Sequence, residues 1–261
     1  MRIALVVIDD GLYTHRWVAS LFQQPIHTIV AGACLSPFRA INFSQGRGMS
    51  GTLTARLAYY GPLATLYFGH RFILGRMSDN LHRLTGKGSP RSVRSIFREH
   101  GIPHITIPGN DINAPVFLDG LQQFAPDVLL TAFSQQAGPA LRDLAPGGCL
   151  NIHFSRLPEQ AGREPVFWSL VHGRGYGLTI YRMGPGYDTG DLLFAQSLEA
   201  TGLQTLDAAI RRITDQIPSA VIQALANLTT GCMAPLPAPV FNQWPDRDAV
   251  KAFKRAGYTF I

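Results

Sequence analysis

The chain has 261 residues, 46% apolar and 15% charged, which is the balance of a folded globular protein and excludes a disordered one. That length suits one large domain, or one and a half, with ample core for independent folding. The formal charge of +6 favours acidic ligands, but Lys and Arg are scattered without interleaved aromatics, so nothing points to DNA as a partner.

The opening "MRIALVVIDD" has too short an apolar part for a signal peptide and runs straight into acid, so it predicts a first core strand over 3–8. Asp9 and Asp10 then read as turn chemistry. A helical pattern over 13–22 and a strand over 28–34 follow. Residues 36–88 break the alternation. They are too long for a connection and carry helical apolar spacing, which predicts a helical insertion. Within it, "ARLAYYGPLATLYFGHRFILG" (55–75) is the one membrane suspect. Its central Gly-Pro, with His70 and Arg71, argues for no transmembrane segment while allowing peripheral membrane contact. "GSPRSVRSIFREHG" restarts the pattern, with Ser89 as N-cap, Pro90 at the first helical position, a helix over 93–100 and Gly101 as the stop. The exposed N–H groups there, with Arg91, could hold an anion, although simple capping is the plainer reading.

Further strands are expected over 105–108, 128–133, 150–154 and 178–183, with a helix over 114–124. Strands alternating with helices predict an α/β protein with a mostly parallel sheet covered on both faces, whose ligands bind beyond the carboxyl ends of the strands. After an apolar run over 192–198, the residues Leu206, Ile210, Ile213, Ile217, Val221, Leu225 and Leu228 form one face of a helix bent at Pro218. "PLPAPVFNQWP" reads as an extended crossing and "DRDAVKAFKRAG" as a short capped helix. A catalytic domain over 1–200, with an extension over 201–261 packed on it, is the expected organisation. Cys34, Cys149 and Cys232 are odd in number and without metal-ligand spacing. They read as small residues in a reducing cytosol, so a cytoplasmic protein with no metal site is expected.

The chemistry concentrates in "CLNIHFSRLP". Asn151 and His153 share one face of a strand, and a buried amide and imidazole both need partners. Asp188 follows in a Gly- and Pro-rich loop just past another strand. Its carboxylate could accept from one nitrogen of His153, leaving the other nitrogen to take a proton, while Asn151 offers N–H groups to a developing negative oxygen. These roles suit attack by an amine on a carbonyl without a metal or a covalent intermediate. The plain alternatives are a hydrogen-bonded core pair for Asn151 and His153, and a turn residue for Asp188. Asp191 reads as a turn or cap, His172 as a dipole partner at a helix end, and Phe167 and Trp168 as core.

The set Asn151, His153, Ser155, Leu157, Pro158, Gly162, Pro165, Gly177, Thr179, Asp188 and Gly190 resembles the family of formyltransferases that use 10-formyltetrahydrofolate. The resemblance is dense from 128 to 196 and weak in the insertion and at the end. It implies a Rossmann-like fold and a catalytic triad of Asn151, His153 and Asp188. It also implies folate contacts from Phe133, Ser134, Gln135, Gln136, Ala137, Tyr187, Thr189 and Gly190, the pterin lying between the segment 132–138 and the Asp188 loop. Ser155, Leu157, Pro158 and Gly162 are the expected substrate contacts. Two departures bear on the acceptor: Ala161 stands where the family usually carries Arg or Lys, and "DDGLYTH" replaces a Gly-rich phosphate loop. Glycinamide ribonucleotide is therefore disfavoured, and tRNA is disfavoured because 70 residues follow Asp191 where the tRNA enzymes carry a further barrel. The expected activity is N-formyl transfer to a small-molecule amine, either an amino-sugar nucleotide or an amino-acid side-chain amine. The alternatives are a 10-formyltetrahydrofolate hydrolase and a non-catalytic folate- or tRNA-binding protein. The aromatic insertion (Tyr59, Tyr60, Tyr67, Phe68, Phe72) allows a wall of the acceptor site or a homodimer surface.

Overall fold

The computed structural model describes residues 1–24, 28–37 and 49–261, with side chains left aside over 49–56. The expected insertion therefore lies outside the described residues over 38–48. Two compact units divide the chain: Met1–Leu53 with Leu66–Asn151, and Thr54–Thr65 with Ile152–Ile261. Residue 200 lies inside the second.

The first unit is built on parallel ladders. Strand β1 (Ile3–Ile8) pairs with β2 (Ile29–Leu35) on one side and with β4 (Val128–Ala132) on the other. Strand β2 pairs with the two-residue β3 (His104–Ile105), and β4 with the start of β5 (Cys149–His153). Ile3 to Val7 are fully buried, which is why β1 is a continuous apolar run rather than an alternating one. The chain moves outward from β1 to β2 and β3, then returns to β4 on β1's other edge, so strand order reverses there. Crevices at such reversals take ligands beyond the carboxyl ends. Helices α1 (Thr14–Phe22), α3 (Val93–Glu99), α4 (Pro115–Gln122) and α5 (Pro139–Arg142) belong to this unit. Gly32 of β2 is required by close approach, because a Cβ there would run into the Phe97 ring of α3.

The insertion is helical as expected, but α2 (Met49–Thr85) is two helices in sequence. Gly61 adopts φ 79° and ψ 169°, and Pro62 follows without an N–H to continue the ladder. The cap of α3 is not the expected one. Ser92, not Ser89, is the N-cap and accepts from Ser95 N at 3.2 Å, and Pro90 lies outside the helix. The N–H groups read from sequence as a site for an external anion face Asp79, whose Oδ1 accepts from Arg91 N (3.0 Å) and Ser92 N (3.1 Å). Its Oδ2 accepts from the hydroxyls of Ser92 and Ser95, both at 2.9 Å. Burial opposes the Asp79 charge, yet these donors outweigh it and hold the carboxyl below its ordinary range. The strand expected over 105–108 shortens because Pro108 heads a 3-10 turn, Pro108–Asn110.

The second unit departs from the parallel pattern. Strands β7 (Gly177–Met183) and β8 (Gly190–Ser197) form an antiparallel hairpin, with β9 (Ala234–Pro235) on its edge. Strands β6 (Ala161–Gly162) and β10 (Phe241–Asn242), neither foreseen, form a short parallel pair. The expected single helix bent at Pro218 is two helices, α7 (Leu206–Thr214) and α8 (Ile217–Thr230). Pro218 sits in the first turn of α8, where a missing N–H breaks no bond. Helix α8 packs on β7 and β8. Helix α6 (Pro165–His172) meets α9 (Arg247–Arg255) through Phe167 stacked on Phe253 at 4.8 Å, with Tyr59 and Phe260 around them. Asp246 caps α9 by accepting from Ala249 N, as its sequence suggests. No helix among the described residues is long and apolar enough to cross a membrane. The fold is α/β on a mostly parallel sheet.

Candidate active site

Strand β5 ends at His153, and all five of its residues are buried. Asn151 lies opposite Thr131 in the β4–β5 ladder, and its Oδ1 accepts from the Thr131 hydroxyl at 3.2 Å. The Asn151 side-chain amide is thus held beside the Thr131 hydroxyl at the end of the ladder. Thr131 Oγ1 also lies 2.8 Å from Leu150 O, so its one hydrogen is shared between these two acceptors and the side chain is held in place.

His153 sits between two acceptors. Its Nε2 is 2.9 Å from Gln160 O, and its Nδ1 is 3.5 Å from Asp188 Oδ1. A backbone carbonyl can only accept, so Nε2 must carry a hydrogen, and in the neutral ring the lone pair is then on Nδ1. This reverses the expectation from sequence, in which the nitrogen away from Asp188 takes the proton. That nitrogen is occupied by Gln160 O, and the basic one faces the carboxylate. When both nitrogens are protonated, each N–H points at an acceptor.

Asp188 is held from three directions. Gly162 N donates to its Oδ2 at 2.6 Å, the Tyr181 hydroxyl donates to Oδ1 at 3.1 Å, and His153 approaches Oδ1. Its own backbone takes φ 53°, a left-handed conformation that short acidic side chains tolerate in tight turns. The loop is cinched by Thr189, whose hydroxyl exchanges hydrogen bonds with Gly186, while Gly184 N donates to Thr189 O at 2.7 Å. Gly190 opens β8 at φ 135°, and a Cβ there would strike Arg182 O. Tyr187 stays largely exposed beside the Phe241 ring.

Of the expected substrate contacts, Ser155 and Leu157 are buried and Pro158 and Gly162 half-buried, and all four brace the turn after β5. Ser155 is fully buried, donates to Gln160 O at 2.7 Å, and its carbonyl accepts from Thr179 Oγ1 at 2.7 Å. Leu157 N donates to the same Thr179 oxygen at 3.0 Å. Its side chain packs with Ala161 and Tyr181. Ala161 is fully buried in that cluster, which explains physically why no Arg or Lys stands there. The Leu157–Pro158 peptide is cis, and Pro158 O accepts from Val240 N. Gly162 has φ 95°, and a Cβ would collide with the Asn242 backbone, so only glycine places this N–H on Asp188.

The expected folate segment lies just past β4. Phe133 and Ala137 are buried, Gln135 is partly exposed, and Ser134 and Gln136 are exposed. Two asparagines brace it: Gln135 Nε2 donates to Asn110 O at 2.7 Å, and Asn113 bridges Gln136 O (3.0 Å) and Gly138 N (2.6 Å).

Sequence reasoning missed Gln160, Tyr181 and Asn242. The amide of Asn242 donates to Gln160 Oε1 at 2.9 Å and to Ala161 O at 3.2 Å. His172 stands in the last turn of α6, before Gly173. Burial and the Arg174 charge push its pKa down, and its Nδ1 meets the Gln160 side-chain amide. Asp191 is neither turn nor cap but pairs with Arg182 across the hairpin at 2.6 Å. Asp10 does behave as turn chemistry, its Oδ1 accepting from Leu12, Tyr13 and Thr14 N–H. Burial raises the Cys149 thiol to about 12, in keeping with an inert core residue.

Residues 103–225 match the family model described as formyl transferase. A methionyl-tRNA formyltransferase of Desulfotalea psychrophila is 30% identical over 141 residues, covering 53% of this chain and 43% of that protein. One of Syntrophus aciditrophicus is 40% identical over 106 residues, covering 40% and 33%. The chain thus spans less than half the length of these curated relatives. Two solved structures share the fold. A phosphoribosylglycinamide formyltransferase from Bacillus halodurans has TM-score 0.56 and 16% identity, covering 89% of this chain and 97% of that one. A sugar N-formyltransferase from a Shewanella species has TM-score 0.52 and 13% identity, covering 98% and 87%. The resemblance read from the motifs holds. The expectation that disfavoured tRNA does not stand, because both of these curated relatives are tRNA enzymes by name.

Proposed function

With residues 103–225 carrying the formyl transferase signature as the premise, we propose that the chain moves a formyl group from 10-formyltetrahydrofolate to a primary amine. The carrying observation is the seating of His153, with Nε2–H anchored on Gln160 O and basic Nδ1 directed at Asp188. When bound, the folate supplies the formyl carbon that the amine attacks. Nδ1 of His153 would receive the proton that the amine loses, directly or across one water, and that proton would pass to the folate nitrogen as its bond to the formyl carbon breaks and tetrahydrofolate leaves. Asp188, fixed by Gly162 N and Tyr181, balances the imidazolium charge and holds its ring plane. The Asn151 NH₂, on the same strand face, meets the oxygen that becomes negative. Imidazolium N–H groups directed at Gln160 and Asp188 leave His153 a proton-handling role and the oxyanion to Asn151.

The braced segment Phe133–Ala137 and the loop residues Tyr187, Thr189 and Gly190 are the proposed folate contacts. Ser155, Leu157, Pro158 and Gly162 act through position rather than by touching the substrate. The proposed acceptor is a small-molecule amine, on an amino-sugar nucleotide or an amino-acid side chain, in a cytoplasmic and metal-independent reaction. The relatives' printed names put methionyl-tRNA in the acceptor screen as the competitor. Purified protein with labelled formyl donor should label one amine class. Formate release without any acceptor would instead identify a hydrolase. Calorimetry with unreactive 5-formyltetrahydrofolate should show one site per chain, and no binding at about millimolar ligand removes the folate reading.

A further inference from the structure

Beyond Pro62, helix α2 packs one side onto its own unit. Gly75 approaches Gly11, Phe72 lies against Gly11, and Asp79 holds the start of α3. At 100° per residue, Leu66, Ile73, Leu74, Met77, Leu81 and Leu84 fall on the opposite side, and all six are exposed, between 48% and 78%. The stripe runs about 27 Å along the helix and opens on the order of 600 Å² of apolar surface, the top of the range for a soluble monomer. A helix apolar on both sides has a second partner to find.

Charge selects that partner. Arg76 and Arg83 border the stripe on one margin, and both are exposed. On the other, Arg71 stacks over Tyr67 at 5.4 Å and over Tyr13 at 5.9 Å. His70 stands in the stripe itself, and Lys87 follows the helix. Across 57–88 the one carboxylate is Asp79, which is buried on the inner side and held by four donors. Glu99 meets His82, which also belongs to the inner side. A second copy laid on this face would set arginines against arginines with no acid to answer them. An anionic bilayer surface accepts both features, since apolar side chains sink below the headgroups while arginines reach lipid phosphates.

We propose that residues 66–84 form an amphipathic helix that seats the protein on an anionic lipid surface. The helix lies in the interface and does not span it, as its hydropathy requires. This seating is independent of which amine is formylated.

The test is flotation of the full chain with vesicles of phosphatidylcholine alone and with about one third phosphatidylglycerol, at about 0.1 M and about 0.5 M salt. The protein should float with the anionic vesicles, less so at the higher salt, and poorly with the neutral ones. Ile73→Glu with Met77→Glu should abolish flotation while leaving the thermal melt unchanged, because both side chains are exposed. Arg76→Glu with Arg83→Glu should weaken anionic-vesicle affinity about tenfold or more and leave neutral-vesicle binding as it was. No flotation of the unaltered chain at about millimolar anionic lipid overturns the proposal. So does a dimer in sedimentation analysis that Met77→Glu dissolves, which would assign the face to a second copy.

Discussion

The chain places a carboxylate and a histidine beyond a strand twice, and handles them in opposite ways. At the end of β5, Asp188 from the loop after β7 collects Gly162 N, the Tyr181 hydroxyl and the edge of His153, and the far nitrogen of that ring rests on Gln160 O. Past β1, Asp9 accepts only from Val93 N at 3.2 Å among the described bonds, and burial lifts its pKa to about 6, with Asp10 adding to the rise. His15 is buried with Nδ1 unpartnered, and burial pushes it down to about 4. In one place donors and acceptors are supplied so that charge can come and go. In the other, both groups are driven toward neutrality. An acid and a histidine near the end of a strand can pass a proton only where the hydrogen bonds of the charged forms are built in.

Removing His153 should break the comparison most visibly. His153→Ala should lower turnover by about 10² or more while folate affinity changes little, and Asp188→Asn should do the same. Because the two act as a unit, the double variant should be scarcely worse than the poorer single one. Near-normal turnover of His153→Ala would leave the region past β5 no more functional than the one past β1. Next in size is Gly162→Ala, which collides with Asn242 and pulls an N–H away from Asp188. Its denaturation midpoint should fall by the equivalent of roughly 2 kcal/mol or more, with turnover falling beside it.

A smaller effect sharpens the contrast through pH. Asp9 holds its proton more firmly folded than unfolded, so it lowers stability progressively as pH rises from about 4 to about 6. His15 gives up its proton more readily when folded, so it raises stability across about pH 4 to 6.5. The two slopes oppose each other. Asp9→Asn, which keeps an acceptor for Val93 N, should be about 1–2 kcal/mol more stable than the unaltered chain at pH 8. Its stability should also climb between pH 4 and 6.5, where the parent's is flatter. A fall over that range in urea melts would show that the burial argument for His15 is wrong. The smallest effect is expected from His15→Leu, with turnover unchanged within about twofold and stability equal or slightly higher.

Much of this was legible because parallel strands are buried on both faces and so appear as short apolar runs, as β1, β4 and β5 do. The spacing of Asn151 and His153 carried its own geometry. Asp188 stood out as an acid in a glycine-rich loop past a strand. What escaped shares a different character. Gln160 acts through its main-chain carbonyl, which every residue possesses, so no residue type marks it. Tyr181 reads as strand core because most of it is core, and only its hydroxyl reaches Asp188. Ser89 and Ser92 lie three apart, each a credible cap, and the choice between them is made by Asp79 on another helix. Pro218 looked like a bend because a helix start is defined by the break before it, at residues 215–216, which carries no glycine or proline.

The pairing of β6 with β10 sets an order in time. Asn242 leaves the ribosome 81 residues after Ala161, yet its backbone walls in Gly162 and its side chain holds Gln160. A growing chain that already contains His153 and Asp188 still lacks the piece that walls in the residues holding them. Closing so long a loop is also slow relative to local helix formation. Half-made protein should therefore be chemically silent, and a nick before residue 241 should silence finished protein while leaving every proposed catalytic side chain in place.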